Sequence, residues 1–490
     1  MSDIEANYEV VVIGAGNAGL AAAITAAQSG AKVAMLEKGP RDLRGGNTYF
    51  TGEFRFGWRS LEEDILPLMP KISEQELAAM RERVVPYTQE RFYEDVMRVS
   101  EGRSDPDLLN TLVTESLPAI QWLRSLGHEW LPDQRSPGVS MGMAVTLNGG
   151  GARLSDREFD IAAKLGVDIR YRNIAMELLR DAKGRVNGVQ VLTPEGFTRI
   201  HAKAVVLACG GFESHAGMRA SYLGPGWDAV KVRGTPFNTG DGLRMAWDIG
   251  AQAYGNLTAC HASPQDAGRP PFSVRTQTAW EYNRYAYPWS VMVNIHGQRF
   301  VDEASDLRPY TYAKTGRAIM AQPQGVAFQI LDKKSEDMLH GYNNATGARA
   351  DTLAQLADKL GLEPGPFLHT INEYNKAVQA GDYDSRRLDG KRTQGLAINK
   401  SNWALPLDTP PFHGYSVCCG ITFTYGGLRI NTDAQVLSNW EAPIPGLYAC
   451  GEIVGGLFYS NYPGGSGMMQ GAVFGRRAGA NAAKLARGGD

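Results

Sequence analysis

Three glycines near the start of the chain have the spacing of a dinucleotide-binding turn. Gly14, Gly16 and Gly19 follow the short β-branched run 10–13. In this spacing the first glycine permits a tight turn, the second lets a pyrophosphate approach the backbone, and the third lets helix and strand pack closely. Glu37 ends the next apolar run, where a carboxylate accepts hydrogen bonds from both hydroxyls of an adenosine ribose. We predict a βαβ unit that binds a dinucleotide, the alternative being the same unit without a ligand.

Further glycine-rich stretches predict backbone that lies against the same cofactor. The loop 44–52 follows the second strand and combines paired glycines with small polar side chains, which suits contact with a flat ring system. The stretch 462–467 precedes a predicted helix, whose N-terminal dipole would face an anionic ring. The stretch 148–151, followed by Arg153, is similar, and a plain connector is an open alternative there.

Acidic residues stand at other predicted junctions. One apolar run ends at Cys209 and two glycines, and another, beginning at Gly446, ends on Glu452. Asp241 would begin a helix, and capping of that helix is favoured over a bond to a cofactor hydroxyl.

These stretches lie near both ends of the sequence, so both ends of the chain must come together if they surround one cofactor. A length of 490 residues is too great for one hydrophobic core and indicates two or three domains. Residues 255–310 are rich in aromatic residues, Trp280 among them, and include His261. We predict an α/β fold in which a discontinuous Rossmann-type cofactor-binding domain carries an inserted α+β capping and catalytic domain, with residues 1–255 and 421–490 in the first domain and residues 256–420 in the second.

Local patterns predict the elements that connect these units. Residues 60–130 are charged and helical in pattern, with caps at Ser73 and Asp105. Residues 166–208 alternate as strands and short turns, which predicts a β-meander. Helices are expected near 351–360 and 367–379.

Composition excludes several classes of function. Fifty basic against 52 acidic residues give a formal charge of −2, so nothing indicates binding to nucleic acid. The five cysteines form no C-x-x-C pair, which favours a reducing compartment, and we expect no metal site. Residues 1–8 lack signal-peptide features, and no apolar run reaches the roughly 18 residues of a membrane span. We expect a soluble cytoplasmic protein, with a peripheral position at the inner membrane face, through a redox partner, as an open alternative.

The order of these motifs resembles the fumarate reductase and succinate dehydrogenase flavoprotein superfamily, which also contains the 3-ketosteroid Δ1-dehydrogenases. The segments that carry the resemblance span nearly the whole chain and are 11–19, 44–52, 238–242, 297–303 and 446–467. Three segments look most like the FAD-dependent tricarballylate dehydrogenases: 45–52, 306–313 and 461–467.

The resemblance implies a glutathione-reductase-like domain that binds FAD. Members with covalent flavin carry a histidine where Asn47 stands, so we expect FAD to be non-covalent. The implied cofactor-binding residues are Gly14, Gly16, Asn17, Ala18, Gly19, Glu37, Lys38, Gly45, Gly46, Asn47, Thr48, Thr51, Gly52, Ala175, Cys209, Gly210, Asp241, Gly451, Glu452, Ser466, Gly467 and Met468.

The resemblance also implies a substrate site in which Arg308, Tyr462, Tyr310 and His261 are catalytic. Fumarate reductases place a proton-delivering arginine after a segment that matches 297–303, and Arg308 lies one residue further along than that pattern. Tyr462 stands where ketosteroid dehydrogenases have a tyrosine that binds a substrate carbonyl together with a backbone N–H. That N–H would be the one of Ser466. The implied substrate-binding residues are His261, Arg308, Tyr462, Ser466 and Gly150.

Two departures from fumarate reductases leave the substrate open. Tyr462 replaces an arginine of that family, and a family histidine is missing from 422–427. Arg308 is either a proton carrier or a carboxylate clamp, and in the second case Tyr310 or Tyr462 handles the proton. Tyr310 and Tyr312 are equally candidates for packing aromatics.

Three functions are compatible with the sequence. The first is an FAD-dependent dehydrogenase that desaturates a polycarboxylate such as tricarballylate and passes electrons to a membrane-linked redox protein, a quinone or oxygen. The second is the same chemistry on a cyclic ketone or keto acid, or its reversal as an ene-reductase. The third is a flavin-holding scaffold without turnover, which the polar cluster after Glu303 disfavours.

Overall fold

The computed structural model of the chain describes residues 6–133, 143–275, 281–342 and 345–488, so Trp280 lies outside the described residues. Strands form where apolar and β-branched runs are buried. The strands of the described residues are β1 (Ala6–Ile13), β2 (Val33–Glu37), β3 (Trp130–Pro132), β4 (Val145–Leu147), β5 (Asp168–Tyr171), β6 (Ile174–Arg180), β7 (Val186–Thr193), β8 (Gly196–Leu207), β9 (Lys231–Val232), β10 (Ala253–Tyr254), β11 (Cys260–Asp266), β12 (Val291–Asn294), β13 (Val326–Leu331), β14 (Gly347–Ala350), β15 (Phe412–Thr424), β16 (Gly427–Leu428), β17 (Gln435–Leu437) and β18 (Pro443–Ala449).

The α-helices of the described residues lie between these strands or after the last one, with four in succession between β2 and β3 and two in succession between β14 and β15. They are α1 (Asn17–Gln28), α2 (Glu74–Arg83), α3 (Gln89–Val99), α4 (Pro106–Thr114), α5 (Ser116–Ser125), α6 (Gly150–Lys164), α7 (Ala216–Met218), α8 (Asp241–Asp248), α9 (Tyr312–Met320), α10 (Leu353–Leu360), α11 (Pro364–Ala377) and α12 (Ser466–Ala486).

The larger sheet joins distant parts of the chain. Its strand order is β17-β18-β8-β1-β2-β5, with the β6–β7 hairpin attached to β8. Val11 of β1 pairs with Ala34 of β2 on one side and with Val205 of β8 on the other, both in parallel register. Strand β18 then adds Leu447 beside Val205. The carboxyl ends of these parallel strands therefore meet at one edge, which is where open α/β sheets bind ligands.

Helices α1 and α12 pack closely because α12 carries glycines at four-residue intervals. A Cβ atom at Gly475 would lie 2.5 Å from the carbonyl oxygen of Ala18, and one at Gly479 would lie 2.2 Å from that of Ala22. Asn17 Nδ2 also donates to the carbonyl of Met468 at 2.8 Å. Larger side chains would separate the two helices, so the glycine spacing sets how closely the ends of the described chain approach.

The second sheet has the order β11-β15-β13-β12, and β9 and β14 also pair with β15. Strand β15 is its centre and is antiparallel to β11, with Ser263 opposite Gly420. Helix α9 begins at Tyr312 and follows the turn Arg308–Tyr310. This sheet therefore brings β11, the end of β15 and the start of α9 to one side of the larger sheet.

The predicted α/β class, with a discontinuous Rossmann-type unit, is confirmed. The helix caps at Ser73 and Asp105 form as expected, and β6, β7 and β8 form the expected meander. Strand β5 instead pairs in parallel with β2, which the meander pattern did not indicate. The domain boundaries near 255 and 420 stay a prediction.

The helices of the structure can be checked for the length and apolar character of a membrane span. Within the described ranges, none of the helices has the combination of length and apolar character that a membrane crossing requires.

Candidate functional site

A large cleft opens at the carboxyl-end edge of the parallel strands. Its empty volume, open mouth included, is about 1540 Å³, and its lining runs from the turn after β1 to the start of α12. A dinucleotide cofactor requires a site of this extent. The predicted residues that line the cleft are Gly14, Gly16, Asn17, Ala18, Glu37, Lys38, Gly46, Asn47, Thr48, Thr51, Ala175, Cys209, Gly210, Asp241, Gly451, Glu452, Tyr462, Gly467 and Met468.

The glycine turn has three different local geometries. Gly14 has φ +99°, and a Cβ atom there would lie 2.4 Å from the carbonyl oxygen of Ala208. A Cβ atom at Gly19 would lie 2.0 Å from the carbonyl oxygen of Gly14, so Gly19 serves helix–strand packing and does not line the cleft. At Gly16 the nearest neighbouring atom would be Thr48 Oγ1 at 3.5 Å. Gly16 therefore presents open backbone to the cleft, where a pyrophosphate can approach.

Glu37 stands at the end of β2 and lines the cleft. Its Oε1 atom accepts a hydrogen bond from the N–H of Gly39 at 2.7 Å. Burial raises the pKa of Glu37, against the lowering effect of hydrogen bonds from Gly39 and Ala15. This partly satisfied acid fits the ribose hydroxyls of an adenosine.

Asp241 differs from the favoured expectation that it caps α8. It lies in the first turn of the helix, and Gly240 is the N-cap. Its carboxylate instead pairs with Lys38 Nζ at 2.7 Å and accepts a hydrogen bond from Thr239 Oγ1 at 2.8 Å. Burial works to raise the pKa of Asp241, but the bonds from Lys38 and Thr239 lower it below its usual value.

Asn47 joins the loop after β2 to three other segments. Its Nδ2 atom donates to the carbonyl of Thr422 and to Glu213 Oε1, both at 2.8 Å. Its Oδ1 atom accepts from the N–H of Thr235 at 2.9 Å. The carboxamide is therefore fully used in holding the cleft wall.

The N-terminus of α12 points its dipole into the cleft. Gly465 is the N-cap, with φ +86°, and the first turn consists of uncharged residues. Gly465, Gly467 and Met468 line the cleft. The N–H of Ser466 donates to the carbonyl of Pro463 at 3.2 Å, and the nearby N–H of Gly465 acts to lower the pKa of Tyr462, against the effect of burial. The expected role of the Ser466 N–H in binding a substrate together with Tyr462 stays a prediction.

Aromatic rings and one guanidinium form the end of the cleft next to α12. Tyr312, Phe423, Tyr462 and Arg233 line this end. The hydroxyls of Tyr312 and Tyr462 are hydrogen-bonded to each other at 2.7 Å. Burial raises the pKa of both tyrosines, so both hydroxyls carry their protons at neutral pH. We refer to these two residues as the tyrosine pair.

His261 packs against this aromatic end without lining the cleft. Its ring centroid lies 4.9 Å from that of Tyr312, 5.2 Å from that of Tyr462 and 5.3 Å from that of Phe423. Burial, followed by the positive charge of Arg233, lowers the pKa of His261 well below its usual value. The imidazole is therefore neutral at physiological pH and supports the tyrosine pair through ring packing.

Positive charge accumulates at the same end. Arg233 donates to Thr422 Oγ1 at 3.3 Å. Arg269 lies close by and donates to neutral oxygens of Gln265, Val232 and Ser273. Burial and the charge of Arg233 lower the pKa of Arg269 to about 10. The positive charge that Arg233 adds beside Arg269 favours an anion at this end of the cleft.

Several predicted site residues lie outside the cleft lining. Arg308 is buried, with its guanidinium carbon 5.2 Å from the ring centroid of Tyr285, and that ring lies 5.4 Å from the ring of Tyr312. Arg308 therefore lies beside Tyr285, whose ring neighbours that of Tyr312 in the lining. Gly45, Gly52, Gly150 and Ser466 are also outside the lining, and a Cβ atom at Gly52 would lie 2.6 Å from the Cα atom of Gly150.

Tyr310 takes part in a different cluster. Its hydroxyl donates to Asp95 Oδ2 at 2.7 Å, and Tyr87 donates to the same oxygen at 2.8 Å. Arg55, which is fully buried, lies over both rings and donates from Nε to the carbonyl of Gly464 at 2.8 Å. This cluster holds the loop before α12, so the structure gives Tyr310 a supporting place and brings Tyr312 into the cleft instead.

Sequence patterns missed part of the lining because these residues are spread over separate segments. Arg233 follows β9, whose only signal is two residues long, Asn238 stands in the connection between β9 and α8, and Thr422 lies in β15. Tyr312 lies in the segment 306–313, but the sequence pattern alone does not favour it over Tyr310 as a site residue. The missed lining residues include Glu53, Asn173, Ile174, Arg233, Phe237, Asn238, Met245, Tyr312, Thr422, Phe423, Gly465, Gln470 and Gly471.

The groups in the cleft fit the FAD that the sequence resemblance implies. Open backbone at Gly16, the acid Glu37 and the α12 N-terminus stand where a pyrophosphate, a ribose and an electron-rich ring would each find a partner.

Comparison with known proteins agrees with this fit. Residues 9–52 and 77–468 match the family model described as FAD binding domain. The chain is 30% identical over 489 residues to a fumarate reductase (cytochrome) of Shewanella frigidimarina, covering 98% of this chain and 77% of that protein. It is 29% identical over 503 residues to a urocanate reductase of Eggerthella lenta, covering 98% of this chain and 75% of that protein.

Solved structures show the same fold. The open conformation of a flavocytochrome c3 fumarate reductase matches with a TM-score of 0.75 and 29% identity, covering 99% of this chain and 79% of that chain. A 3-ketosteroid-Δ4-(5α)-dehydrogenase from Rhodococcus jostii matches with a TM-score of 0.73 and 23% identity, covering 99% and 98% of the two chains. The second likeness concerns the fold alone.

Proposed function

The chain belongs to the FAD binding domain family and is an FAD-dependent oxidoreductase of the fumarate reductase group that acts on C–C bonds, and we propose that its substrate is a small polycarboxylate such as tricarballylate. The predicted membership of the fumarate reductase and succinate dehydrogenase flavoprotein superfamily, the enzyme class and the cofactor are confirmed. The observation that carries the substrate proposal is the pairing of Arg233 and Arg269 beside the tyrosine pair.

The substrate class follows from charge. A carboxylate binds a guanidinium through two parallel, charge-assisted hydrogen bonds, which the single oxygen of a neutral ketone cannot form. Arg233 is the one of the two that lines the cleft, so it would bind the carboxylate next to the reacting carbons. Arg269 would strengthen the field behind it.

The tyrosine pair would handle the proton. FAD, when bound, supplies the hydride acceptor or donor. The hydroxyl of Tyr462 is hydrogen-bonded to that of Tyr312, which positions it while it holds or releases a proton. The aromatic walls exclude water from this end of the cleft.

Arg308 stays a candidate for two roles. From its place behind Tyr285 it can either pass a proton toward the tyrosine pair or bind a second carboxylate after a small rearrangement. A loss of turnover in Arg308→Ala at saturating substrate would favour the first role, and a raised KM alone would favour the second.

A second candidate substrate is a cyclic ketone or keto acid. The tyrosine pair favours it, because two adjacent hydroxyls at the end of an aromatic pocket can polarise a carbonyl oxygen. The reaction can also run as a reduction, which is the direction named for the fumarate and urocanate reductases that the chain resembles. A flavin scaffold without turnover has least support.

Electrons would pass to or from a separate partner. The relatives include a fumarate reductase (cytochrome) and an NADH:fumarate oxidoreductase of Klebsiella pneumoniae, which differ in this respect. We propose a membrane-linked redox protein, a quinone or oxygen as the acceptor, non-covalent FAD beside Asn47, and a division into residues 1–255 with 421–490 and residues 256–420.

Anaerobic mixing with candidate substrates tests the proposal. We expect tricarballylate to bleach the absorbance of the oxidised flavin, and the corresponding unsaturated tricarboxylate to reoxidise the reduced flavin. Cyclohexanone and a 3-ketosteroid serve as uncharged comparisons. Bleaching by the ketones alone would transfer the proposal to the second candidate, and no bleaching by any compound in either direction would contradict both.

A further inference from the structure

Glu213 is a buried acid whose surroundings do not satisfy an ionised carboxylate. It follows β8 after the glycines at 210 and 211 and is fully buried. Its Oε1 atom accepts hydrogen bonds from Asn238 Nδ2 at 2.6 Å and from Asn47 Nδ2 at 2.8 Å. Among the residues that the structure describes, its Oε2 atom has no hydrogen-bond partner. Such an oxygen is costly when charged and needs a proton or a donor.

The neighbour of Glu213 is a second acid. Glu452 lines the cleft, and its Oε1 atom accepts from the N–H of Thr424 at 2.9 Å. Its Oε2 atom accepts from the same Asn238 Nδ2 atom that binds Glu213, at 3.3 Å. One amide nitrogen therefore bridges the two carboxyl groups, and two buried carboxylates this close do not both ionise.

We infer that Glu213 is a protonated acid whose O–H donates to Glu452, and that it positions Glu452 for a hydroxyl of the cofactor. Both carboxyl groups then have hydrogen-bond partners. Glu213 Oε2 carries the proton that it donates, and Glu452 stays a carboxylate that accepts hydrogen bonds from Asn238, Glu213 and the ligand. Glu213 is thus a positioning residue, and the inference rests on the proposed contact between Glu452 and FAD.

The charges around Glu213 agree with a neutral acid. Burial raises the pKa of Glu213 well above its usual value, and the charge of Glu452 raises it further. Burial likewise raises the pKa of Glu452, which its own hydrogen bonds partly oppose. From other elements, Arg219 donates to the backbone carbonyl of Glu213 at 2.6 Å and the buried thiol of Cys260 lies nearby. Arg219 therefore contacts the peptide group and leaves the carboxyl unpaired with a cation.

Two variants separate a proton donor from a simple space-filling role. In Glu213→Gln the amide NH₂ replaces the O–H as donor to Glu452, whereas Glu213→Leu has a similar volume and no donor. We expect the affinity of the apoprotein for FAD, measured by quenching of flavin fluorescence, to change by less than about threefold in Glu213→Gln and to fall by about tenfold or more in Glu213→Leu.

Glu158 provides a matched control. It is also fully buried, both of its carboxyl oxygens are without partners in the described part of the chain, and burial alone raises its pKa. It does not line the cleft. Glu158→Leu should therefore leave the affinity for FAD unchanged, even if it changes stability.

The pH dependence gives a second, independent measurement. Because the folded protein holds a proton on Glu213 that the unfolded chain releases near the ordinary value of about 4.5, this contribution to stability falls as the pH rises above that value. Glu213→Gln has no such proton to lose, so its unfolding free energy should fall less than that of the wild type between about pH 5 and pH 8.

Three outcomes would overturn the inference: equal loss of affinity in the Gln and Leu variants, identical pH profiles for Glu213→Gln and the wild type, or an infrared spectrum without a protonated-carboxyl band that depends on Glu213. If Glu213→Leu does not fold, the pH profile of Glu213→Gln and the protonated-carboxyl infrared band still test the inference. Because no readout uses turnover, a wrong substrate proposal leaves these tests intact, and an apoprotein that binds no FAD would contradict the cofactor assignment itself.

Discussion

The two ends of the cleft are built by different means. At the phosphate end the backbone makes the site: Gly14, Gly16 and Gly19 set a turn into which almost no side chain reaches. At the substrate end side chains from separate segments make it, with Arg233 after β9, Tyr312 at the start of α9 and the aromatic ring of Tyr462 before α12. The first end depends on short-range geometry, and the second depends on how distant segments meet.

This difference predicts what substitutions will do. At the phosphate end an added methyl group should act through sterics, on stability or on cofactor binding. At the substrate end the same fold should survive many changes, while turnover depends on single charges and hydroxyls.

The largest effect is expected at Arg233. Arg233→Gln removes the cleft guanidinium, and we expect kcat/KM for an anionic substrate to fall by about 10³-fold, or about 4 kcal/mol of transition-state binding. FAD content, measured by absorbance, should be unchanged. Arg233→Lys keeps the charge but loses the planar fork of the guanidinium, so its kcat/KM should lie between those of Arg233→Gln and the wild type. A variant of full activity would show that the substrate end does not depend on this charge.

A pair of alanine substitutions tests the phosphate end. In Gly19→Ala the new Cβ atom would lie 2.0 Å from the carbonyl oxygen of Gly14, so we expect the apoprotein to lose about 3 kcal/mol of unfolding free energy in urea. In Gly16→Ala the nearest atom would be 3.5 Å away. That variant should keep its stability within about 0.5 kcal/mol and lose FAD affinity. If both variants lost stability and FAD affinity to the same extent, Gly19 could not be assigned to packing and Gly16 to the approach of the ligand.

The smallest effect is expected at Tyr310. Tyr310→Phe removes one hydrogen bond to Asp95, and should lower the unfolding free energy by about 1 kcal/mol with kcat nearly unchanged. Tyr312→Phe is the matched comparison, because it removes one member of the tyrosine pair and should lower kcat by roughly tenfold or more. If Tyr310→Phe were the more damaging to kcat, the assignment of these two neighbours would be reversed.

The same division explains how much could be predicted from sequence. The glycine triplet, Glu37 and the glycine-rich start of α12 were recognisable because each acts within a few residues of its own position. Tyr310 and Tyr312 stand two residues apart across the junction of a short turn and a helix, and their directions depend on how that junction is set. Arg233 carries no local pattern, since it directly follows β9, and β9 reaches the cleft through its pairing with β15.

The glycines of α12 were also missed as a group, because their role appears only when α1 is in place. Gly471, Gly475 and Gly479 repeat every four residues, which is a pattern of close helix contact. Their spacing could have been found in the sequence, but it names no partner helix.

The contact between α1 and α12 has a consequence for biosynthesis. Asn17 and Met468, which are hydrogen-bonded, are 451 residues apart, so α1 leaves the ribosome long before α12 exists. At about 5–20 residues per second, the alanine-rich face of α1 waits tens of seconds without its partner. A nascent chain of this kind depends on other surfaces, such as those of chaperones, to keep that face from aggregating. Cofactor loading would then be a late, post-translational event that locks the two helices together.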